Sequence, residues 1–199
     1  MRMLIGLTGS IGSGKTTVAK RLSERGAHVL DADEFARKET SRGSSGLKEV
    51  VAAFGKEMLT PDGSLDRGKL ASVIFHNDEK RFLLNAILHP RILNAMRARA
   101  EELFIKNPDA VIVYDMPLLI EAGEYKQVDR VWLVTADDET RAKRIMARDN
   151  LSREAALSRI AAQMPQSEKL NYADDVIDNS DGLNALYERV DALYDALRG

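Results

Sequence analysis

Three glycines at positions 9, 12 and 14, followed by Lys15, Thr16 and Thr17, are the residues of this chain best suited to phosphate chemistry. The run Gly9-Ser10-Ile11-Gly12-Ser13-Gly14-Lys15-Thr16-Thr17 fills every fixed position of the pattern G-x-x-x-x-G-K-[ST]. Glycines let the backbone curl until successive N–H groups point into one concavity, which suits a chain of phosphates. At this spacing Lys15 reaches the outer phosphates and the Thr16 hydroxyl is placed to hold Mg²⁺. The flanks agree: Met3-Leu4-Ile5-Gly6-Leu7-Thr8 reads as a buried strand, and residues 15–25 carry Val18, Ala19 and Leu22 at helical spacing. A strand, a glycine-rich turn and a helix N-terminus in that order make an anion site with the helix dipole behind it.

Two sets of acids lie at predicted strand ends. Ala27-His28-Val29-Leu30 predicts a second strand that runs into Asp31-Ala32-Asp33. In open parallel sheets ligands sit at the carboxyl ends of strands, which turns Asp33 toward function. The same pair could instead cap a helix over 34–39, and His28 reads as a strand residue. Val111-Ile112-Val113-Tyr114-Asp115 predicts the clearest strand, its final acid in the Walker-B position that orders Mg²⁺ and its waters; capping the next turn is the plainer role for Asp115. Met116-Pro117-Leu118-Leu119 comes directly after it.

Arg141, Arg144 and Arg148 recur at i, i+3 and i+7 of a helix predicted over 137–149, with Arg153 and Arg159 in a polar continuation that ends near Pro165. One reading is a solvated face with snorkelling stems; the other is a closing lid whose guanidinium groups clamp phosphate. The residues leave both open. Asp175-Val176-Ile177-Asp178 predicts the last strand, and Asn179-Ser180-Asp181-Gly182 a turn that either cradles adenine or merely turns. A closing helix over 183–197 should bury Leu183, Leu186, Val190, Leu193 and Leu197.

These groups need a scaffold, and the pattern of elements supplies one. Val131-Trp132-Leu133-Val134 is a fourth strand. Residues 34–110 look mostly helical, with Leu47, Val50, Val51 and Phe54 on one face, a Pro61-Asp62-Gly63-Ser64 turn, and further helices over 65–75, 80–88 and 90–105. Pro90 suits a first helical position, so His89 stands at a helix junction, hydrogen-bonded there or touching an acceptor. A crossover between parallel strands needs about a dozen residues, so this stretch predicts a helical acceptor-binding region. The fold expected is a single α/β domain of the P-loop NTPase type, three-layered α/β/α on a five-stranded parallel sheet. Its core comprises 1–33, 111–136 and 171–199, its acceptor-binding helical region 34–110, and its helical lid 137–170.

Composition narrows the partners. The 199 residues are 44% hydrophobic, enough for one sizeable core. Twenty-nine basic against 31 acidic side chains leave a net charge of −2, so no global field draws in nucleic acid or anionic lipid. Absence of cysteine excludes disulfides, thiolate catalysis and Cys-based zinc sites. The N-terminal apolar run, about six residues, is too short for a signal-peptide core or a membrane span, so a cytoplasmic protein is expected. A GTPase switch is excluded by pattern: no glycine has an aspartate three residues before it, and Asn-Lys-x-Asp does not occur.

Taken together, residues 7–17, Asp31-Ala32-Asp33 with Ala36-Arg37, Leu88-His89-Pro90, residues 115–121, residues 144–149, Gln163 and residues 173–179 resemble the dephospho-coenzyme A kinase family over essentially the whole chain. Ser10 stands where that family often has a second glycine, and Ile120 where an aromatic residue often precedes the glutamate. The resemblance implies a cytoplasmic transferase that moves the ATP γ-phosphoryl to the ribose 3′-hydroxyl of dephospho-CoA, giving coenzyme A and ADP, with Mg²⁺ as cofactor. It implies that Gly12, Ser13, Gly14, Lys15, Thr16 and Thr17 bind ATP together with Arg144, Arg148 and Asn179, and that Thr16 and Asp115 serve the metal. It makes Asp33, Lys15 and Arg148 catalytic, and sets Asp33, His89, Leu118 and Arg159 at the acceptor. ATP and dephospho-CoA are the expected partners, without nucleic acid or membrane, in a monomer or small homo-oligomer. Another small-molecule P-loop kinase, of nucleoside monophosphate or shikimate type, is the alternative.

Overall fold

The computed structural model describes residues 2–75 and 77–197. Strand β1 (Met3–Gly9) leads through the glycine-rich turn into helix α1 (Lys15–Glu24). Then come β2 (His28–Asp31), α2 (Ala32–Glu39), α3 (Ser45–Phe54), α4 (Arg67–Phe75) and α5 (Asp78–Lys106). The chain returns to the sheet in β3 (Val111–Asp115) and β4 (Arg130–Thr135), and passes through α6 (Asp138–Asp149), α7 (Arg153–Ala161) and the single turn α8 (Gln166–Lys169). Strand β5 (Asp175–Asp178) and helix α9 (Leu183–Ala196) complete it. The five strands lie in the order β2-β3-β1-β4-β5.

That order puts β1 at the centre, paired in parallel with β3 on one side and β4 on the other. All five residues of β3 are buried, as expected of a strand covered on both faces. The register sets Leu7 opposite Asp115 and Gly9 opposite Val134, so the carboxyl ends of three adjacent strands open at one edge. This is the switch point at which open parallel sheets present ligand sites.

Two compact units make up the chain: Met1–Leu30 with Leu103–Gly199, and Asp31–Glu102. In the first, Ile5, Leu7, Val18, Leu22, Val113, Trp132 and Ile177 pack into a core closed by α9 through Leu186, Val190 and Tyr194. Leu183 is exposed instead of buried, because the inward stripe of α9 begins one turn later and includes Tyr194. In the second unit, Leu47, Val50, Met58, Leu65, Leu70 and Leu84 form a separate core, with Leu59 and Leu65 bridged across the Pro61-Asp62-Gly63-Ser64 turn.

Helix α5 corrects one expectation: Pro90 lies inside a continuous 29-residue helix and starts no new one. Proline forfeits one backbone hydrogen bond, usually a helix-ending loss. Here Leu84 on one side of it, and Ile92 and Met96 on the other, are buried, and that packing carries the helix through. His89 is therefore a half-buried helical residue.

Candidate active site

The glycine-rich turn owes its shape to close neighbours as much as to its own residues. Gly12 has φ +80°, and a Cβ there would lie 2.8 Å from the Arg141 carbonyl oxygen. Gly14 has φ +93°, and its Cβ would overlap Asn179 Nδ2. Both positions therefore need glycine twice over, for backbone conformation and for space.

The turn's carbonyl groups are taken by side chains from later in the chain. Arg141 Nε donates to Ile11 O at 3.0 Å. An Arg144 terminal nitrogen donates to Gly12 O and Ser13 O at 3.3 Å, and the other to Asn179 O at 2.9 Å. Asn179 Nδ2 donates to Ser13 O at 2.8 Å. Because C=O and N–H point opposite ways across a trans peptide, carbonyls held outward leave the Gly12 and Gly14 N–H groups turned away from these donors. In the first turn of α1, Thr17 N–H and Val18 N–H donate to Gly14 O at 2.9 and 3.3 Å, which leaves the N–H groups of Lys15 and Thr16 to add to that concavity.

Lys15 and Asp115 form an ion pair across the mouth of the turn. Asp115 is 7% exposed at the end of β3, beside Leu7 near the carboxyl end of β1. Thr16 is exposed in the first turn of α1. The Thr16 hydroxyl and the Asp115 carboxylate are hard oxygen donors, a set that fits Mg²⁺, which takes one or two protein oxygens and keeps several waters. Among the described residues no cluster of three or more His, Asp or Glu could hold a metal by itself.

The arginine row divides in three. Arg141 is 3% exposed, held by Ile11 O and by Asp138 Oδ1 at 2.8 Å; burial pushes its guanidinium pKa down. Arg144 is half-buried on the glycine-rich turn. Arg148 is exposed and forks onto Asp149 at 2.7 and 2.9 Å, and Arg159 donates to the same carboxylate at 2.6 Å. That pairing, Arg148 foremost, holds the Asp149 carboxyl below its usual range. The helical period shows the common face of the three arginines and is silent on its depth, so the burial of Arg141 was not visible in it.

Three further contacts come from the segment after α7, and of the residues that make them only Gln163 stood out in the sequence. Gln163 Oε1 accepts from Ile11 N–H at 2.8 Å. Gln166 grips the Ala136 backbone from both sides, donating to its O at 2.9 Å and accepting from its N–H at 3.3 Å. Lys169, fully buried, sits 2.7 Å from Glu121 Oε1, an ion pair by distance that is not aligned as a hydrogen bond. Its place in a polar four-residue helix gives no sign of burial. Leu118 is 49% exposed on the loop after β3, where the Thr8 hydroxyl donates to Pro117 O at 3.1 Å, and Ile120 beside it is buried.

In the second unit the capping question is decided. Asp31 is the N-cap of α2 and accepts from Asp33 N–H at 2.8 Å, so the Asp33 carboxylate is left outside the cap.

The sequence model of the family "Dephospho-CoA kinase" matches residues 3–185. A protein of that name from Carboxydothermus hydrogenoformans is 44% identical over 94% of this chain and 90% of its own length. Among solved structures, TT1252 from Thermus thermophilus aligns with a TM-score of 0.80 at 37% identity, covering 98% of this chain and 96% of that one. The dephospho-CoA kinase from Campylobacter jejuni aligns with a TM-score of 0.75 at 26% identity, over 99% and 98%.

Proposed function

The chain belongs to the dephospho-CoA kinase family, and from that membership we propose how its own residues carry out ATP-dependent phosphorylation of dephospho-CoA at the ribose 3′-hydroxyl. The nucleotide phosphates are held by backbone N–H groups of the turn and by Lys15, with Gly12, Ser13, Gly14, Thr16 and Thr17 completing the cradle. Arg144 and Asn179 set the nucleotide end of that cradle. Mg²⁺, held by Thr16 and served by Asp115, supplies neutralisation of charge on the phosphate oxygens when it is bound.

Asp33 orients the acceptor hydroxyl and takes its proton. The hydroxyl oxygen bonds to the γ-phosphorus, the bond from that phosphorus to the β,γ-bridging oxygen breaks, and ADP leaves with the electron pair. Arg148 meets the charge that develops on the transferring group, and Arg159 reaches the acceptor from the lid, both leaving Asp149 to do so. His89 and Leu118 contact the acceptor. A loose transition state asks for positioning and charge stabilisation more than for the base. The reaction is cytoplasmic, carried out by a monomer or small homo-oligomer without nucleic acid; no helix among the described residues is long and apolar enough to cross a membrane.

The observation that carries this reading is the Lys15–Asp115 pair at the mouth of a turn whose carbonyls are held outward. The test is incubation with ATP, Mg²⁺ and dephospho-CoA, with the product identified by mass and by its 3′-phosphate. Phosphorylation of shikimate or a nucleoside monophosphate in place of dephospho-CoA would replace this reading by the alternative acceptor class.

A further inference from the structure

We propose that Arg141 and Gln163 are positioning residues that pin the two peptide planes flanking Ile11 and thereby preset the phosphate cradle before any nucleotide arrives. Ile11 N–H belongs to the plane it shares with Ser10, and Gln163 Oε1 accepts from it at 2.8 Å. Ile11 C=O belongs to the plane it shares with Gly12, and Arg141 Nε donates to it at 3.0 Å. A residue has only two soft backbone dihedrals, so fixing the planes on both sides fixes φ and ψ of Ile11. The second plane also carries the Gly12 N–H, which the trans peptide directs opposite to the gripped carbonyl.

Both grips are built to hold. Arg141 is 3% exposed, with its other contact to Asp138 on the same helix, so its guanidinium has little freedom to swing away. Gln163 is anchored through its C-terminal neighbours: three residues on, Gln166 is bonded to both backbone groups of Ala136, and three further on Lys169 is buried against Glu121. The side chain types suit the task. An amide oxygen accepts from the Ile11 N–H without bringing a negative charge next to phosphate, and a guanidinium donates to the Ile11 carbonyl while adding a positive one. A cradle ordered in advance does not have to be ordered by the ligand, which is where such residues gain affinity.

The clamp rests on the nucleotide-binding reading above, and the experiment separates the two. ADP binding is measured by calorimetry on the full chain, for the wild type, Gln163→Leu and Gln163→Glu, at raised ionic strength to screen the charge that glutamate adds. Leucine keeps the bulk and loses the acceptor; glutamate keeps the acceptor. Loss of one such hydrogen bond should weaken ADP binding by about five- to tenfold in Gln163→Leu, with binding in Gln163→Glu within about threefold of the wild type. KM for dephospho-CoA should stay near its wild-type value, and unfolding should remain cooperative. Wild-type ADP affinity in Gln163→Leu, or an equal loss in both variants, would overturn the clamp while leaving nucleotide binding intact. A wild-type chain that binds no ADP would overturn both. Should Gln163→Leu fold poorly, Arg141→Lys, which keeps the charge but loses the planar fork, provides the same ADP readout from the other grip.

Discussion

The ammonium of Lys15, the first residue of α1, is paired with the carboxylate of Asp115, the last residue of β3. In the function proposed above Lys15 stabilises phosphate charge and Asp115 serves the metal, and here the two are paired with each other. On that proposal an arriving Mg²⁺–ATP would offer each a new partner, phosphate for the lysine and the metal for the aspartate.

Lys15→Ala should on that account lower kcat by roughly 10²–10³-fold, the usual cost of removing one donor aimed at developing charge. Unfolding should remain cooperative. Near-native turnover in the folded variant would remove Lys15 from the chemistry.

Asp33→Asn is a cleaner test than the sequence alone suggests, because the cap of α2 belongs to Asp31. Stability should hardly move. Turnover should fall by about 10²-fold, the lower part of the range for general-base assistance, with ATP affinity nearly retained. Unchanged turnover per folded molecule would show that another group meets the 3′-hydroxyl.

Closure of the arginine-bearing segment should be uneven. Arg141, Arg144, Gln163 and Gln166 already fasten residues of 137–170 to backbone at the carboxyl edge of the sheet. On binding a bisubstrate analogue, amide exchange should slow most in α7, which carries Arg159, and least at the start of α6. Uniform slowing along 137–170 would indicate a lid that moves as one piece, and no slowing would return Arg148 and Arg159 to a solvated face.

Away from the site, Arg21 forks onto Asp191 and joins α1 to α9, with Nε 2.9 Å from Oδ1. The hydrogen bonds from Arg21 pull the Asp191 carboxyl below its usual range, and the same pairing raises Arg21. A depressed carboxyl contributes stability that is present above its unfolded pKa, about 3.9, and is lost as pH falls through the folded value. The stability difference between wild type and Asp191→Asn should therefore be largest near neutral pH and shrink in acid. Denaturant midpoints at about pH 7 and about pH 2.5 read this out, and an unchanged gap would exclude the linkage.

Much of the scaffold was legible because its signals are local. The glycine spacing, the buried run ending in Asp115 and the strand at 175–178 each state their element within a few residues. What stayed hidden is decided by partners distant in sequence. Arginines 141, 144 and 148 look equivalent by period, yet the first is buried, the second half-buried and the third exposed. Asp31 and Asp33 are alike as caps until the helix start is known to the residue. Pro90 is a start signal by its own chemistry, overruled by apolar packing on both sides of it. Lys169 is a charged residue in a polar stretch, and only Glu121, 48 positions earlier by the numbering, explains why it is inside.

The hydrogen bonds on the glycine-rich turn span sequence separations of 130, 132, 152 and 166 residues. During synthesis the turn leaves the ribosome before Arg141, Gln163 and Asn179 have followed it. A nascent chain thus carries the complete nucleotide motif through the addition of residues 18–178 without all of the side chains that shape it. Truncations ending before 179 should therefore lose ADP binding even where β1 and α1 have formed. Competence for nucleotide is thus assembled in order, by contacts arriving from residues 141, 144, 163 and finally 179.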